Sequence, residues 1–151
     1  MDKTSYCIAC RDTTGGVPLW LGGAQDASGA YWCDVETDLP EPGTTEFWKV
    51  VPLVGTDACY LLNLTANMYA TFSAGETIGL RPLDVHDPGF IIKLDNVGDG
   101  WVAINNTGKD QVFDAKGGSP TPGTPVIQYP WQGGANQMWK FVDSDAILGK
   151  G

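Results

Sequence analysis

Basic residues are scarce: the 151-residue chain holds 9 Lys and Arg against 18 Asp and Glu, for a net charge of −9. A surface with that field repels polyanions, which argues against nucleic acid and anionic membranes as partners. Long apolar runs are missing too; nothing approaches the roughly 18 residues of a membrane-spanning helix. The N-terminal MDKTSYCIAC has neither the apolar run nor the small-residue cleavage pattern of a signal peptide. The expectation is a soluble, cytoplasmic protein, with export by a non-standard route as the alternative. The single histidine, His86 in LDVHDPG, supports neither a metal site nor a catalytic dyad by itself. There is no Ser/His/Asp set, no Cys with a partnered His and no Walker-type glycine loop. Paired carboxylates occur only in acidic loops such as Asp34-Val35-Glu36. These absences argue against an enzyme and against a bound metal or cofactor.

Cysteine is limited to Cys7, Cys10, Cys33 and Cys59. The Cys7-x-x-Cys10 spacing resembles half of a zinc site, but Cys33 and Cys59 do not form the second close pair such a site needs. If residues 6–10 form a strand, positions 7 and 10 point to opposite faces, which argues against a bond between them. Small buried thiols are the expectation.

Glycine and proline, by contrast, are plentiful, 20 and 10 residues, in short clusters such as TTGG, PEPGTT, DPG, GDG and GGSPTPGTP. These read as turns between many short strands, and no window of about 11 residues carries a helical period. The class predicted is all-β, in one domain over residues 1–151, a length that buries about two thirds of the unfolded surface.

Three segments answer one another along the chain: Glu46-Phe47-Trp48-Lys49-Val50, Phe90-Ile91-Ile92-Lys93-Leu94 and Gln137-Met138-Trp139-Lys140-Phe141. Each reads any residue, apolar, large apolar, Lys, apolar, with the large residue at 48, 92 and 139. Upstream, Leu62-Asn63-Leu64-Thr65-Ala66-Asn67 matches Ile104-Asn105-Asn106-Thr107-Gly108-Lys109, a strand entering a tight turn, and Ile8 to Gly15 is a looser counterpart. Units of about this length hold four short strands and cannot each bury a face, so they must share one core. Approximate unit bounds are 6–53, 54–97 and 98–145. Closure around a common axis removes free sheet edges.

The last unit, VFDAKGGSPTPGTPVIQYPWQGGANQMWKF over residues 112–141, carries an apolar-Asp strand and a Gly-Thr-Pro-Val turn and strand. An aromatic followed by Pro and an Asn-Gln-x-Trp close complete it. In this order the elements resemble the ricin B-like β-trefoil lectin family, in a fungal, cytosolic form. In the other two units the resemblance rests on pattern rather than identity. It implies a β-trefoil of three pseudo-repeats with about four short strands each.

Neutral sugars present hydroxyls that must exchange water hydrogen bonds for protein ones, together with a weakly apolar ring face. A site for one therefore combines an aromatic with a carboxylate and an amide. The resemblance assigns these roles to Asp114, Tyr129 and Asn136, with Gln137 beside them tying turn backbone together, and Trp131 as the alternative ring. Trp48, Ile92 and Trp139 are expected in the core. Carried onto the second unit, the Asp position falls on Phe72 and the Asn-Gln pair on Gly89-Phe90, so that unit is expected to be silent. In the first unit it falls near Trp20, and the pair becomes Thr45-Glu46. A different constellation there would rest on Trp20, Asp34 or the Tyr31-Trp32 pair. Asn63-Leu64-Thr65 and Asn105-Asn106-Thr107 fit the N-glycosylation pattern, but read better as turn asparagines.

Function follows as an expectation: a carbohydrate-binding lectin with one site in the third unit, for galactose-, N-acetylgalactosamine- or mannose-type glycans. With one site, cross-linking would require a homodimer. The alternative is a lectin-like protein-interaction module with little sugar binding, as subunit or partner of an enzyme or as a β-trefoil protease inhibitor, with exposed aromatics of the first unit as its docking patch.

Overall fold

The computed structural model describes residues 5–13, 16, 18–25, 31–36, 40–41, 43–106, 110–118 and 120–148. Its strands are β1 (Tyr6–Cys10), β2 (Leu19–Gln25), β3 (Tyr31–Glu36), β4 (Trp48–Pro52), β5 (Ala58–Asn63), β6 (Met68–Thr71), β7 (Gly79–Arg81), β8 (Ile92–Gly98), β9 (Trp101–Asn106), β10 (Gln111–Ala115), β11 (Val126–Pro130) and β12 (Trp139–Asp143). They fall into three successive sets of four.

Two kinds of pairing alternate. Within each set the first strand meets the fourth, with Tyr6 opposite Trp48, Cys59 opposite Ile92 and Val102 opposite Trp139. Between sets the fourth strand pairs antiparallel with the first of the next: β4 with β5, β8 with β9, and β12 back with β1. Six strands thus form a ring without a free edge, the solution to the edge problem that many short strands pose. The remaining strands form hairpins β2–β3, β6–β7 and β10–β11 that close one end. There the Cys33 N–H donates to Ile78 O and the Ile78 N–H to Val126 O, both at 2.8 Å, and Asp34 bridges Pro125. This cyclic succession makes Cys33, Ile78 and Val126 equivalent and sets the register of the three hairpins. The architecture is a β-trefoil.

Repeated large apolar residues fill the axis. Trp48, Ile92 and Trp139 form one fully buried layer; Ile8, Leu61 and Ile104, each two residues beyond the position opposite that layer, form another. Burial of each such side chain is worth about 1.5–3 kcal/mol. The two indoles are also tethered: Trp48 Nε1 donates to Leu21 O at 2.9 Å and Trp139 Nε1 to Phe113 O at 3.1 Å. These bonds satisfy the only polar atom that a buried tryptophan side chain brings with it.

Turn chemistry is local. Between β8 and β9, Asp99 and Gly100 have φ of 55° and 84°, and Gly98 pairs with Trp101 across them. Two consecutive residues at positive φ are what a type I′ hairpin demands, and Asp-Gly is the favoured pair for it. The repeat of strand-end asparagines is shifted by one from the sequence matching. Asn63 and Asn106, not Asn105, are equivalent: both are buried, and both donate to backbone carbonyls at the entry to the fourth strand of the preceding unit, Asn63 to Thr45 O and Asn106 to Pro88 O and Ile91 O. Two adjacent asparagines in the later copy make that register ambiguous in sequence. Thr107 to Lys109 of that match, and Thr14-Gly15 of the looser one, lie outside the described residues.

The threefold pattern is broken after the last strand. A five-residue helix, α1 (Ser144–Leu148), too short to give a helical period, follows β12. Its Ile147 and Leu148 pack with Cys7, Trp20 and Phe47 in a second small cluster. All four cysteines are free and buried. Cys10 faces the main core and Cys7 the second cluster, as alternation along β1 requires. Burial pushes the thiols of Cys7 and Cys10 up to about 12 and that of Cys59 to about 11. Among the described residues no helix is long and apolar enough to cross a membrane.

Candidate functional site

Along β10 the side chains alternate, so Phe113 enters the core and supplies the carbonyl for Trp139 while Asp114 turns the other way. The chain then leaves β11 through Pro130, forms a 3-10 turn at Ala135–Gln137 and enters β12. That turn brings two amides onto Asp114. Asn136 Nδ2 donates to Asp114 Oδ1 at 3.0 Å and to Ala115 O at 3.1 Å; Gln137 Nε2 donates to Asp114 Oδ2 at 2.9 Å and to Pro130 O at 2.9 Å. Gln137 Oε1 in turn accepts the N–H of Gln132 at 2.7 Å.

Electrostatically the carboxylate is balanced between two effects. Asp114 is only 5% exposed, and burial raises its pKa, while the bonds from Gln137 and Asn136 pull it back. A buried carboxylate with its lone pairs partly engaged remains a strong acceptor for a hydroxyl that approaches its open side. Asn136 spends both amide hydrogens on protein acceptors, so its Oδ1 is what it offers outward. That oxygen lies over Gly134, where a Cβ would come within 2.6 Å of it. Glycine at 134 is therefore required by the resting place of Asn136.

Facing these groups is an open cleft of about 700 Å³, lined among others by Gln111, Asp114, Lys116, Tyr129, Gln132 and Asn136. Tyr129 is 43% exposed. The rim of the cleft is completed from the preceding unit, where Glu76 pairs with Lys116 at 3.4 Å. Glu76 is not legible as a site residue in the sequence, because a within-unit pattern carries no signal for a neighbour's hairpin; Gln111 and Gln132 lie within the unit but outside the motif that marks the site.

Of the five residues expected at the site, the structure brings Asp114, Tyr129 and Asn136 together at the cleft. Gln137 stands behind them, 1% exposed, holding Asp114 and the Pro130–Gln132 segment. Trp131 points elsewhere: 37% exposed, it lines a smaller cleft of about 190 Å³ with Asp95, Asn105 and Asp110. Strand β11 ends at Pro130, so Trp131 no longer follows the alternation that would put it on the side of Tyr129.

The other units depart from the template differently than alignment suggests. Equivalence of Cys33, Ile78 and Val126, with their cross-strand partners, places the counterpart of Asp114 at Thr71 rather than Phe72, and at Gly22 rather than near Trp20. Trp20 itself is buried in the second cluster. Thr71 is fully buried and accepts the N–H of Ser73. In the first unit the carboxylate has moved across the strand pair: Gly22 faces Asp34, where the third unit has Asp114 facing Ile127. Asp34 is 2% exposed with Oδ1 unpartnered. Burial, a hydrogen bond with Glu36 and the nearby charges of Glu36 and Glu46 push its pKa up to about 8. Glu46, at the Gln137 position, is also buried and shifted upward, chiefly by burial. Among the described residues no group of three or more His, Cys, Asp or Glu is placed to hold a metal ion.

Residues 90–147 match the family described as ricin-type β-trefoil lectin domain-like. No curated protein matches the chain by sequence. Solved structures share the fold at low identity. The designed threefold-symmetric protein ThreeFoil is 17% identical, with a TM-score of 0.75 over 92% of this chain and 98% of that one. The Rhizoctonia solani agglutinin is 18% identical, with a TM-score of 0.72 over 95% and 96%. The Polyporus squamosus lectin, solved with a human-type influenza-binding epitope, is 14% identical at a TM-score of 0.72. There 93% of this chain spans about half, 49%, of the longer lectin.

Proposed function

We propose that this β-trefoil, whose residues 90–147 match the ricin-type lectin-like family, is a carbohydrate-binding module with its site in the third unit. The observation that carries the proposal is the Asp114 carboxylate, fixed on both oxygens by Asn136 and Gln137 at the floor of a cleft that Tyr129 overlooks. Asp114 accepts from a pair of sugar hydroxyls, Asn136 Oδ1 accepts from a neighbouring one, and the Tyr129 ring covers the apolar face. Galactose-, N-acetylgalactosamine- and mannose-type sugars all present such a set. Binding requires no metal and breaks no bond. One shallow site binds weakly, so agglutination depends on assembly of at least two copies.

Glycan-array screening of the wild type tests this directly. Neutral glycans are retained, and Asp114→Ala loses them by about tenfold or more, the worth of a charge-assisted bond. Failure to retain any glycan at high density would sink the proposal and favour the interaction module; retention that survives Asp114→Ala would move the site to another unit.

A further inference from the structure

A second cleft, of about 390 Å³, lies between the hairpins of the first and second units, and Tyr31, Trp32, Thr77, Gly79 and Arg81 are among the residues lining it. Its position is that of the third-unit cleft moved back by one unit. With Ile78 equivalent to Val126, Arg81 occupies the place of Tyr129, and Tyr31, which pairs with Leu80, occupies the place of Glu76. The chemistry is exchanged accordingly: here the ring comes from the preceding hairpin and the charge from the unit itself.

Three observations define what such a cleft takes. Arg81 is exposed, and among the described residues its guanidinium has no ion pair, hydrogen bond or ring contact, unlike Lys93, Lys116, Lys140 and Arg11. No Asp or Glu is among the residues lining the cleft, although acids outnumber bases two to one in the chain. Trp32 is half-buried and stands opposite Gly79 across β3 and β7, on the strand face that Arg81 shares, whereas Tyr31 alternates to the other face and packs against the main core. The overall negative field is screened beyond about 8 Å at physiological salt, whereas a fork-to-carboxylate contact is not.

We infer that this cleft binds an acidic sugar, a hexuronic acid whose carboxylate lies on the Arg81 guanidinium and whose ring face packs on Trp32. The planar fork matches a carboxylate bidentately, and the ring supplies the apolar area that a bare anion would leave unused. At this volume the cleft suits a small ligand rather than a single carboxylate group. The Thr77 hydroxyl adds a donor or acceptor for a ring hydroxyl. This site is separate from the third-unit proposal and holds or fails independently of it.

The test uses the full chain carrying Asp114→Ala, so that the third unit does not contribute. Calorimetric titration compares methyl glucuronide with methyl glucoside, which differ in the carboxylate. The glucuronide binds at least tenfold more tightly, its affinity falls as salt is raised, and Arg81→Gln removes that advantage while leaving the melting temperature unchanged, since Arg81 is exposed. Trp32→Ala weakens the glucuronide as well. Equal binding of the two glycosides, no heat for the glucuronide at tens of millimolar, or affinity untouched by Arg81→Gln would each overturn the inference. Acetate competing at the same concentration as the glucuronide would overturn it also, by showing a bare anion site.

Discussion

At Asp114 the burial of a carboxylate is tolerated because two side-chain amides converge on it, and each amide keeps a second acceptor in Ala115 O or Pro130 O. Asp114→Ala therefore costs only about 1–2 kcal/mol in unfolding experiments, because the two bonds it removes are offset by relief of the carboxylate's burial, while it removes sugar binding. Trp139→Ala is of another kind, a cavity in the axial layer that costs about 3–5 kcal/mol. Asp34 sets a pH dependence. Its pKa is raised from 3.8 to about 8 by burial first and by Glu36 and Glu46 next, so the folded state holds a proton that the unfolded chain releases. The resulting stability is complete below about pH 4 and is lost as pH rises towards about 8 and beyond. Melting temperature should fall across that window in the wild type, and the fall should flatten in Asp34→Asn; equal slopes would show that Asp34 ionises normally.

Among the elements, the 3-10 turn at Ala135–Gln137 does most to aim the site. Gly134→Ala keeps an ordinary φ of −75° but puts a methyl group 2.6 Å from Asn136 Oδ1. The flexible amide swings away, so sugar affinity falls about tenfold while stability changes by no more than about 1 kcal/mol, because the atom that must move is the end of a half-buried side chain and not backbone. The same turn shows what is readable from sequence. The Asn-Gln-x-Trp run announces both the turn and the core residue after it, because an apolar repeat and a local polar pair are written in consecutive residues. Strand register is less visible. From the hairpin carbonyl to its tryptophan the chain takes 27 residues in the first unit and 26 in the third, so alignment from the tryptophan back to the Asp position slips. Movement of a carboxylate from Gly22's place to Asp34's is invisible to any within-strand pattern, since it preserves a location in space and not an order in sequence.

For the whole molecule the governing fact is closure. Because β12 pairs with β1 and β9, the first unit's core is completed by the last strand, and contacts of such sequence separation make folding slow and cooperative. The four buried thiols report on this. Native-state alkylation should label Cys10, Cys33 and Cys59 at one common rate that follows global unfolding, with Cys7 faster if α1 lifts first; widely different rates among the three would reveal units that open separately. Closure also has a topological consequence. The Ser144 N–H bonds to Ser5 O and the two hydroxyls meet, so the segments that lead into β1 and out of β12 lie together at one seam, while the turn at Val54-Gly55 projects into solvent. Chain order is then a convention. A permuted gene that joins the seam through a short linker and opens at residue 55 should yield the same barrel with the third unit in the middle of the polypeptide, its sugar affinity unaltered.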